Sequence, residues 1–294
     1  MKITGTTRII GIFGDPIEHT LSPAIQNAAI EESGVDFVYV PFHVTADGLK
    51  AAVAGVRALD MAGVNVTIPH KERVVRLLDD VDPLASLIGA VNTIVNVEGR
   101  LIGYNTDGYG YVESLKEDTG FTAEGKNIVV IGAGGAARAI LYTLMQERKV
   151  CTRSIILANR TYDRAKRLAK EFKKKLPWAP LEAVQLDAVY PYMDDAHLVV
   201  NTTPLGMMAG SAPDLPIERL PETAIVSDIV YRPLETTLLK KAAQRGLKTH
   251  SGLGMLVHQG ALSFELWTLA LFPRPTAPIE AMRRAALKAL GSSE

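Results

Sequence analysis

Ile128-Val129-Val130-Ile131-Gly132-Ala133-Gly134-Gly135-Ala136-Ala137 is the stretch from which the fold of this chain is read. Four consecutive branched apolar residues predict a strand buried on both faces, and the G-x-G-x-x-A spacing after it opens a helical pattern reaching about Lys149. Each small residue has a task at such a turn. Gly132 permits the tight bend, Gly134 lets backbone amides approach a pyrophosphate, and Ala137 allows close helix–strand packing. The segment Gly132, Ala133, Gly134, Gly135 and Ala136 then presents N–H groups and a positive dipole end to phosphate. The next predicted strand, Ser154–Ala158, runs into Asn159-Arg160-Thr161, where the acid that would hold ribose hydroxyls is missing. Arg160, Arg164 and the Thr161 hydroxyl instead offer donors suited to a 2′-phosphate, so NADP(H) is the expected cofactor. A plainer reading makes Thr161 a helix N-cap and Arg164 a surface residue; the two roles are compatible.

Outward from this motif, a helix to about Leu176, strands Val184–Leu186, His197–Thr203 and Ala224–Val230 complete a doubly wound, Rossmann-type pattern. Toward the N-terminus, apolar runs alternate with helical patterns: Ile9–Phe13, Ser22–Glu32, Phe37–Val44, Ala46–Leu59, Val64–Ile68 and Lys71–Leu78. That alternation predicts a β-α-β sheet with helical cover. A hairpin, Val91–Val97 with Arg100–Tyr104, is expected to turn at Glu98-Gly99, and the tail carries helices over Leu253–Ala270 and Ile279–Leu290. The fold class is therefore α/β, with an N-terminal β-α-β domain and a Rossmann-type dinucleotide-binding domain.

The chain has 294 residues, with 32 basic against 32 acidic side chains and hence no net charge. That balance speaks against nucleic-acid and anionic-membrane binding. The basic stretch Arg164–Lys175 has Ala165, Leu168, Ala169 and Phe172 as an apolar stripe and reads as a solvated helix face. One cysteine, Cys151, excludes an intramolecular disulfide, fits a cytoplasmic setting and reads as a small packing residue. The apolar run Ile9–Ile12 is too short for a signal segment, and no run approaches the ~20 residues of a membrane helix. Gly120–Asn127 matches G-x-x-x-x-G-K but ends in Asn where a P-loop needs Ser or Thr, and it precedes its strand. No histidines pair at metal-ligand spacing and no G-x-S-x-G occurs, so neither a metal nor a serine triad is expected.

Chemistry concentrates elsewhere. Asn65-Val66-Thr67-Ile68-Pro69-His70-Lys71 leads a strand into the predicted helix Lys71–Leu78, placing a cation in its first turn. The helix dipole disfavours it there and would ease its proton loss, which marks Lys71 as an acid/base candidate; the bland alternative is an exposed lysine. Asp107, in Gly103–Gly108, reads either as a turn or N-cap aspartate or as the carboxylate that positions Lys71. Ser22-Pro23 reads as an N-cap followed by Pro at the first helical position.

Together these segments resemble the shikimate dehydrogenase family, nearly end to end. Gly14-Asp15-Pro16-Ile17-Glu18-His19-Thr20-Leu21-Ser22-Pro23 resembles its G-x-P-x-x-H-S-x-S-P loop, and Asn65–Lys71 its N-V-T-x-P-x-K. Gly89–Thr93, Asn105–Gly108, Asn159–Thr161 and Gly252–Gln259 resemble G-A-V-N-T, N-T-D-G, N-R-T and G-x-G-M-L-x-x-Q. The resemblance implies NADP-dependent, reversible reduction of 3-dehydroshikimate to shikimate, on the route to aromatic amino acids. It implies Lys71 as acid/base with Asp107, and Thr20, Ser22, Thr67, Asn92, Tyr231 and Gln259 around substrate. It further implies Asn159 with Arg160 at the cofactor, and Ile229 and Gly252 near the nicotinamide. Residues 1–107 with the tail 252–294 would hold substrate and residues 108–251 the cofactor, in a monomer or homodimer. Thr20 departs from the usual serine, keeping the hydroxyl but adding a methyl, which leaves quinate open beside shikimate.

Overall fold

In the computed structural model, which describes residues 2–146, 152–207, 211–269, 271–272 and 275–291, the chain forms two compact units. One comprises Met1–Gly110 with Leu256–Glu294, the other Tyr111–Met255. Cys151 lies outside the described residues, as does Lys149, where the helix after the glycine motif was expected to end. No described helix is long and apolar enough to cross a membrane.

The second unit realises the doubly wound expectation. Strands β7 (Asn127–Ile131), β8 (Ser154–Asn159), β9 (Leu181–Gln185), β10 (Leu198–Asn201), β11 (Ile225–Asp228) and β12 (Lys248–Ser251) form one parallel sheet. Their order, β12-β11-β10-β7-β8-β9, reverses direction at β7 and β10, the switch point beside which such sheets bind ligands. Helices α5 (Gly135–Gln146), α6 (Tyr162–Lys175) and α7 (Thr237–Gln244) follow β7, β8 and β11. Val129, Ile131, Val199 and Val226 of the central strands pack with Leu238, Leu239 and Ala242 of α7 in one buried cluster. Ile128, Val130, Leu157 and Val200, which alternate along their strands with residues of that cluster, are buried as well, and this two-sided burial is why the strands read as unbroken apolar runs.

In the first unit β1 (Arg8–Gly14), α1 (Ser22–Ser33), β2 (Phe37–His43), α2 (Leu49–Ala58) and β3 (Gly63–Val66) make one parallel part of a mixed sheet ordered β2-β1-β3-β5-β6-β4, whose far edge pairs β4 parallel to β6. The hairpin β5 (Thr93–Val97) and β6 (Arg100–Tyr104) adds antiparallel strands, turning through Glu98 and Gly99, both at positive φ. Besides α7, β12 and the helix that begins at Asp107, two more elements lie where the sequence reading had none: β4 (Asp80–Val81) and α3 (Pro83–Ile88). Their punctuation was present, since Asp82 caps Leu84 N–H at 2.9 Å, Pro83 follows it, and Gly89 closes the helix at φ 76°. The chain continues through α4 (Asp107–Thr119) and later through α8 (Gly252–Thr268) and α9 (Ile279–Ala289).

The helix expected over Lys71–Leu78 does not form; residues 68–73 are turns and only Val74–Leu77 makes a 3-10 turn. The Lys71 carbonyl accepts Val91 N–H at 2.8 Å, and adjacent branched Val74 and Val75 disfavour an α-helix. The dipole argument for Lys71 therefore falls away.

Candidate active site

Lys71 owes its place to contacts, not to a helix. His70 before it is fully buried, its Nε2 2.6 Å from Val44 O, and its N–H bonds Thr67 O at 2.8 Å. From this anchored turn the Lys71 ammonium donates to Asp107 Oδ2 at 2.6 Å, with the lysine side chain 16% and the aspartate 3% exposed. Asp107 is the first residue of α4 and, contrary to the turn or cap reading, gives its carboxylate to side chains: Asn92 Nδ2 donates to Oδ1 at 2.9 Å. Asn92 also donates to Thr106 Oγ1 at 2.8 Å and to Gln259 Oε1 at 3.3 Å. Lys71, Asp107, Asn92 and Gln259 thus form one hydrogen-bonded group carrying an ammonium beside a carboxylate. Such a pair can give and take a proton while a neighbour holds its geometry.

Ser22 is not an N-cap. The cap position is Leu21, without a side-chain bond, and Ser22 is the first helical residue of α1. Its hydroxyl accepts from Thr20 Oγ1 at 3.2 Å, leaving two hydroxyls side by side at the N-terminal end of a 12-residue helix. Thr67 packs against Gly14, six residues before Thr20, where an added Cβ would lie 2.5 Å from its Cγ2. No hydrogen bond among the described residues ties the Thr20, Ser22 or Thr67 side chains to the Lys71 group.

In the second unit Gly132 has φ 108°, and a Cβ there would meet Thr202 Oγ1 at 2.5 Å; one on Gly134 would meet nothing within 4 Å. The first glycine is demanded by turn and packing, and the second faces open space at the start of α5. Thr161 occupies the N-cap position of α6 without making a side-chain cap bond. Asn159 Nδ2 bonds Thr161 O at 2.8 Å and Gln185 Nε2 bonds Arg160 O at 2.9 Å, so this loop's backbone is held. Arg160 and Arg164 are exposed, and neither enters an ion pair among the described residues. Held backbone, uncommitted guanidinia and a glycine turn fit the phosphates of a dinucleotide.

Ile229 and Tyr231 follow β11, and Gly252 opens α8 so close to Ile229 that a Cβ would lie 2.0 Å from its carbonyl oxygen. The segments around them are braced by two groups missed in the sequence. Burial raises the Asp228 carboxyl pKa, opposed by hydrogen bonds from Thr236, Val230 N–H and Asn201, and Asn201 also holds Leu205 O at 2.9 Å. His250 sits between Ser114 (2.6 Å) and Ser227 (2.9 Å), and burial lowers its pKa to about 4. Neither belongs to a recognisable motif; only proximity in the fold reveals them.

Comparison with known proteins agrees across both units. Residues 12–94 match the family model of the shikimate dehydrogenase substrate binding domain. Residues 114–205 match that of shikimate / quinate 5-dehydrogenase, and residues 252–268 that of the shikimate 5′-dehydrogenase C-terminal domain. A shikimate dehydrogenase (NADP⁺) from Desulforamulus reducens is 43% identical over 291 residues, covering 96% of this chain and 95% of the relative. A crystal structure of a shikimate dehydrogenase in complex with NADP⁺ superposes with a TM-score of 0.90 at 42% identity, over 98% of each chain. The Thermus thermophilus shikimate 5-dehydrogenase, in complex with NADP(H) and shikimate, gives 0.83 at 39% identity over 96% of this chain and 100% of that one. Because the matches follow chain order through both units and nearly the full length of the relatives, the chain belongs to the shikimate dehydrogenase family.

Proposed function

We propose that Lys71 and Asp107 are the proton-transfer pair of this NADP-dependent shikimate dehydrogenase, which interconverts 3-dehydroshikimate and shikimate. The observation that carries the reading is the 2.6 Å ion pair, its carboxylate buried and braced by Asn92. Bound NADP(H) supplies or accepts the hydride at carbon. Lys71 handles the proton at oxygen: its ammonium donates to the developing alkoxide during ketone reduction and, when neutral, takes the hydroxyl proton in reverse. Asp107 aims the ammonium, and Gln259 stands in the same hydrogen-bonded group, with a side chain able to meet a substrate hydroxyl. Paired hydroxyls of Thr20 and Ser22 suit a carboxylate, and Thr67, packed against Gly14, would add a third.

In the second unit Gly132–Ala136 would hold the pyrophosphate, while Asn159, Arg160, Thr161 and Arg164 would hold the 2′-phosphate side. Ile229, Tyr231 and Gly252 would border the nicotinamide and the substrate. The first unit is accordingly the substrate domain and the second the cofactor domain. A single cysteine supports a reducing, cytoplasmic location. The test is a spectrophotometric assay of NADPH oxidation with 3-dehydroshikimate, and of NADP⁺ reduction with shikimate and with quinate. Turnover on the first pair and its loss in Lys71→Ala are expected; an inactive parent, or an active Lys71→Ala, overturns the reading.

A further inference from the structure

We infer that Asn65, oriented by Tyr39, is a positioning residue for the proton-transfer pair, acting through Thr93 and Asn92; this rests on the reading of Lys71 and Asp107 given above. Asn65 lies in β3, 5% exposed, and touches neither of them. The Tyr39 hydroxyl donates to its Oδ1 at 2.8 Å, which settles the orientation of the amide. Nδ2 therefore faces Thr93 Oγ1 at 3.1 Å, Ser263 Oγ at 3.0 Å and Asn92 O at 3.1 Å. A hydroxyl oxygen that accepts an amide hydrogen directs its own proton elsewhere. Ser263 sends its proton to Gln259 O at 3.0 Å, and Thr93, whose Oγ1 also lies 2.8 Å from Ser263 Oγ, donates to Asn92 Oδ1 at 3.0 Å. Asn92 Oδ1 takes a second hydrogen from Thr106 N–H at 2.9 Å.

With both lone pairs of that oxygen met, the Asn92 amide has one orientation, Nδ2 toward Thr106 Oγ1 and Asp107 Oδ1. One carboxylate oxygen is thereby occupied, and the other is left to Lys71. Donation thus runs in one sense: Tyr39 to Asn65 to Thr93 to Asn92 to Asp107, met from the far side by Lys71. Every member except Lys71 is buried, from Thr93 with no exposed surface to Asn65 at 5%. A satisfied buried network of this kind is rigid, and a break anywhere frees the Asn92 amide to turn and the carboxylate to swing. The sequence hid this, because Tyr39 alternates with apolar neighbours in β2 and Thr93 is a β-branched strand residue.

Four variants of the full chain test the inference by shikimate oxidation with NADP⁺: Thr93→Val, Thr93→Ser, Tyr39→Phe and Lys71→Ala. Valine keeps the shape of threonine but not its hydroxyl, whereas serine keeps the hydroxyl and loses a buried methyl. Thr93→Val and Tyr39→Phe are expected to lower kcat on the order of 3- to 10-fold at unchanged KM for NADP⁺, with Thr93→Ser recovering most of it. Activity should follow the hydroxyl and not the thermal midpoint, which serine also lowers. If Thr93→Val does not fold, Tyr39→Phe carries the test. Parent-like kcat in Thr93→Val or Tyr39→Phe, or losses that merely track stability, would overturn the chain of donors while Lys71→Ala stayed inactive. A parent-like Lys71→Ala would instead overturn the pair on which it rests.

Discussion

At the scale of single residues the chemistry rests on one ion pair whose partners lie 36 positions apart. Removing the ammonium should lower kcat of Lys71→Ala on the order of 10²–10⁴, the usual contribution of general acid–base catalysis, and shikimate binding much less. It also leaves the buried Asp107 carboxylate with no ionic partner and only the neutral Asn92 amide donating to it from a side chain, so a thermal melt beside the kinetics should show lost stability. Cofactor choice is likewise a residue property. Arg160 is exposed, outside any ion pair among the described residues, and placed where an acid would favour NAD(H). Arg160→Ala should weaken NADP⁺ about 10- to 100-fold and leave NAD⁺ nearly unchanged, because only the former presents a phosphate there. Arg160→Asp should reverse the preference further by repulsion. Both are read from kcat/KM for the two cofactors at fixed salt, and an unmoved ratio in Arg160→Ala would remove this loop from the cofactor site.

At the scale of elements, turns decide what the site can be. The α8 helix starts at Gly252 against the chain leaving β11, with no room for a Cβ between its Cα and the Ile229 carbonyl. Gly252→Ala should therefore destabilise the chain by about 1–3 kcal/mol, the range for overpacking, and weaken NADP⁺ through displacement of residues 229–231. A melt and a cofactor titration check this together; an undisturbed midpoint would mean that the turn yields more easily than its 2.0 Å approach suggests. The segment carrying Lys71 gives the complementary lesson. A helical pattern over residues 71–78 is outcompeted by one strand-like bond, Val91 N–H to Lys71 O, which the periodicity of the segment cannot reveal.

At the scale of the whole molecule, pH acts through buried groups. His250 has its pKa lowered from 6.5 to about 4 by burial. The folded state thus binds fewer protons than the unfolded one between those values, and stability rises with pH across that window. Conversely, about 3 kcal/mol is lost as pH falls from 6.5 toward 4. Asp228 opposes this: its pKa is raised, so protonation as pH falls through its folded value relieves the buried charge and adds stability. Denaturant unfolding at pH 7 and at pH 4.5 should show the parent clearly weaker in acid. His250→Asn should be less stable at pH 7 but flatter between the two; equal slopes would assign the acid sensitivity to other groups.

Local signals determined much of this protein. The G-x-G-x-x-A turn after an apolar strand, the alternation of strands and helices, the Glu98-Gly99 hairpin and the Asn159-Arg160-Thr161 loop each carry their signal within a few consecutive residues, so periodicity and turn chemistry report them. The Lys71 and Asp107 motifs were legible as separate marks with chemical promise. Their pairing was one of two readings open for Asp107, and what the sequence could not carry was the choice between them and the network that braces the pair. That needed β3, β5, α4 and α8 to bring Asn65, Asn92, Asp107 and Ser263, up to 198 positions apart, within hydrogen-bond reach. The same holds for His250 between Ser114 and Ser227, and for the loss of the helix at Lys71. Hydrogen bonding and desolvation act through space at a few ångströms, and that neighbourhood exists only once the sheets have formed.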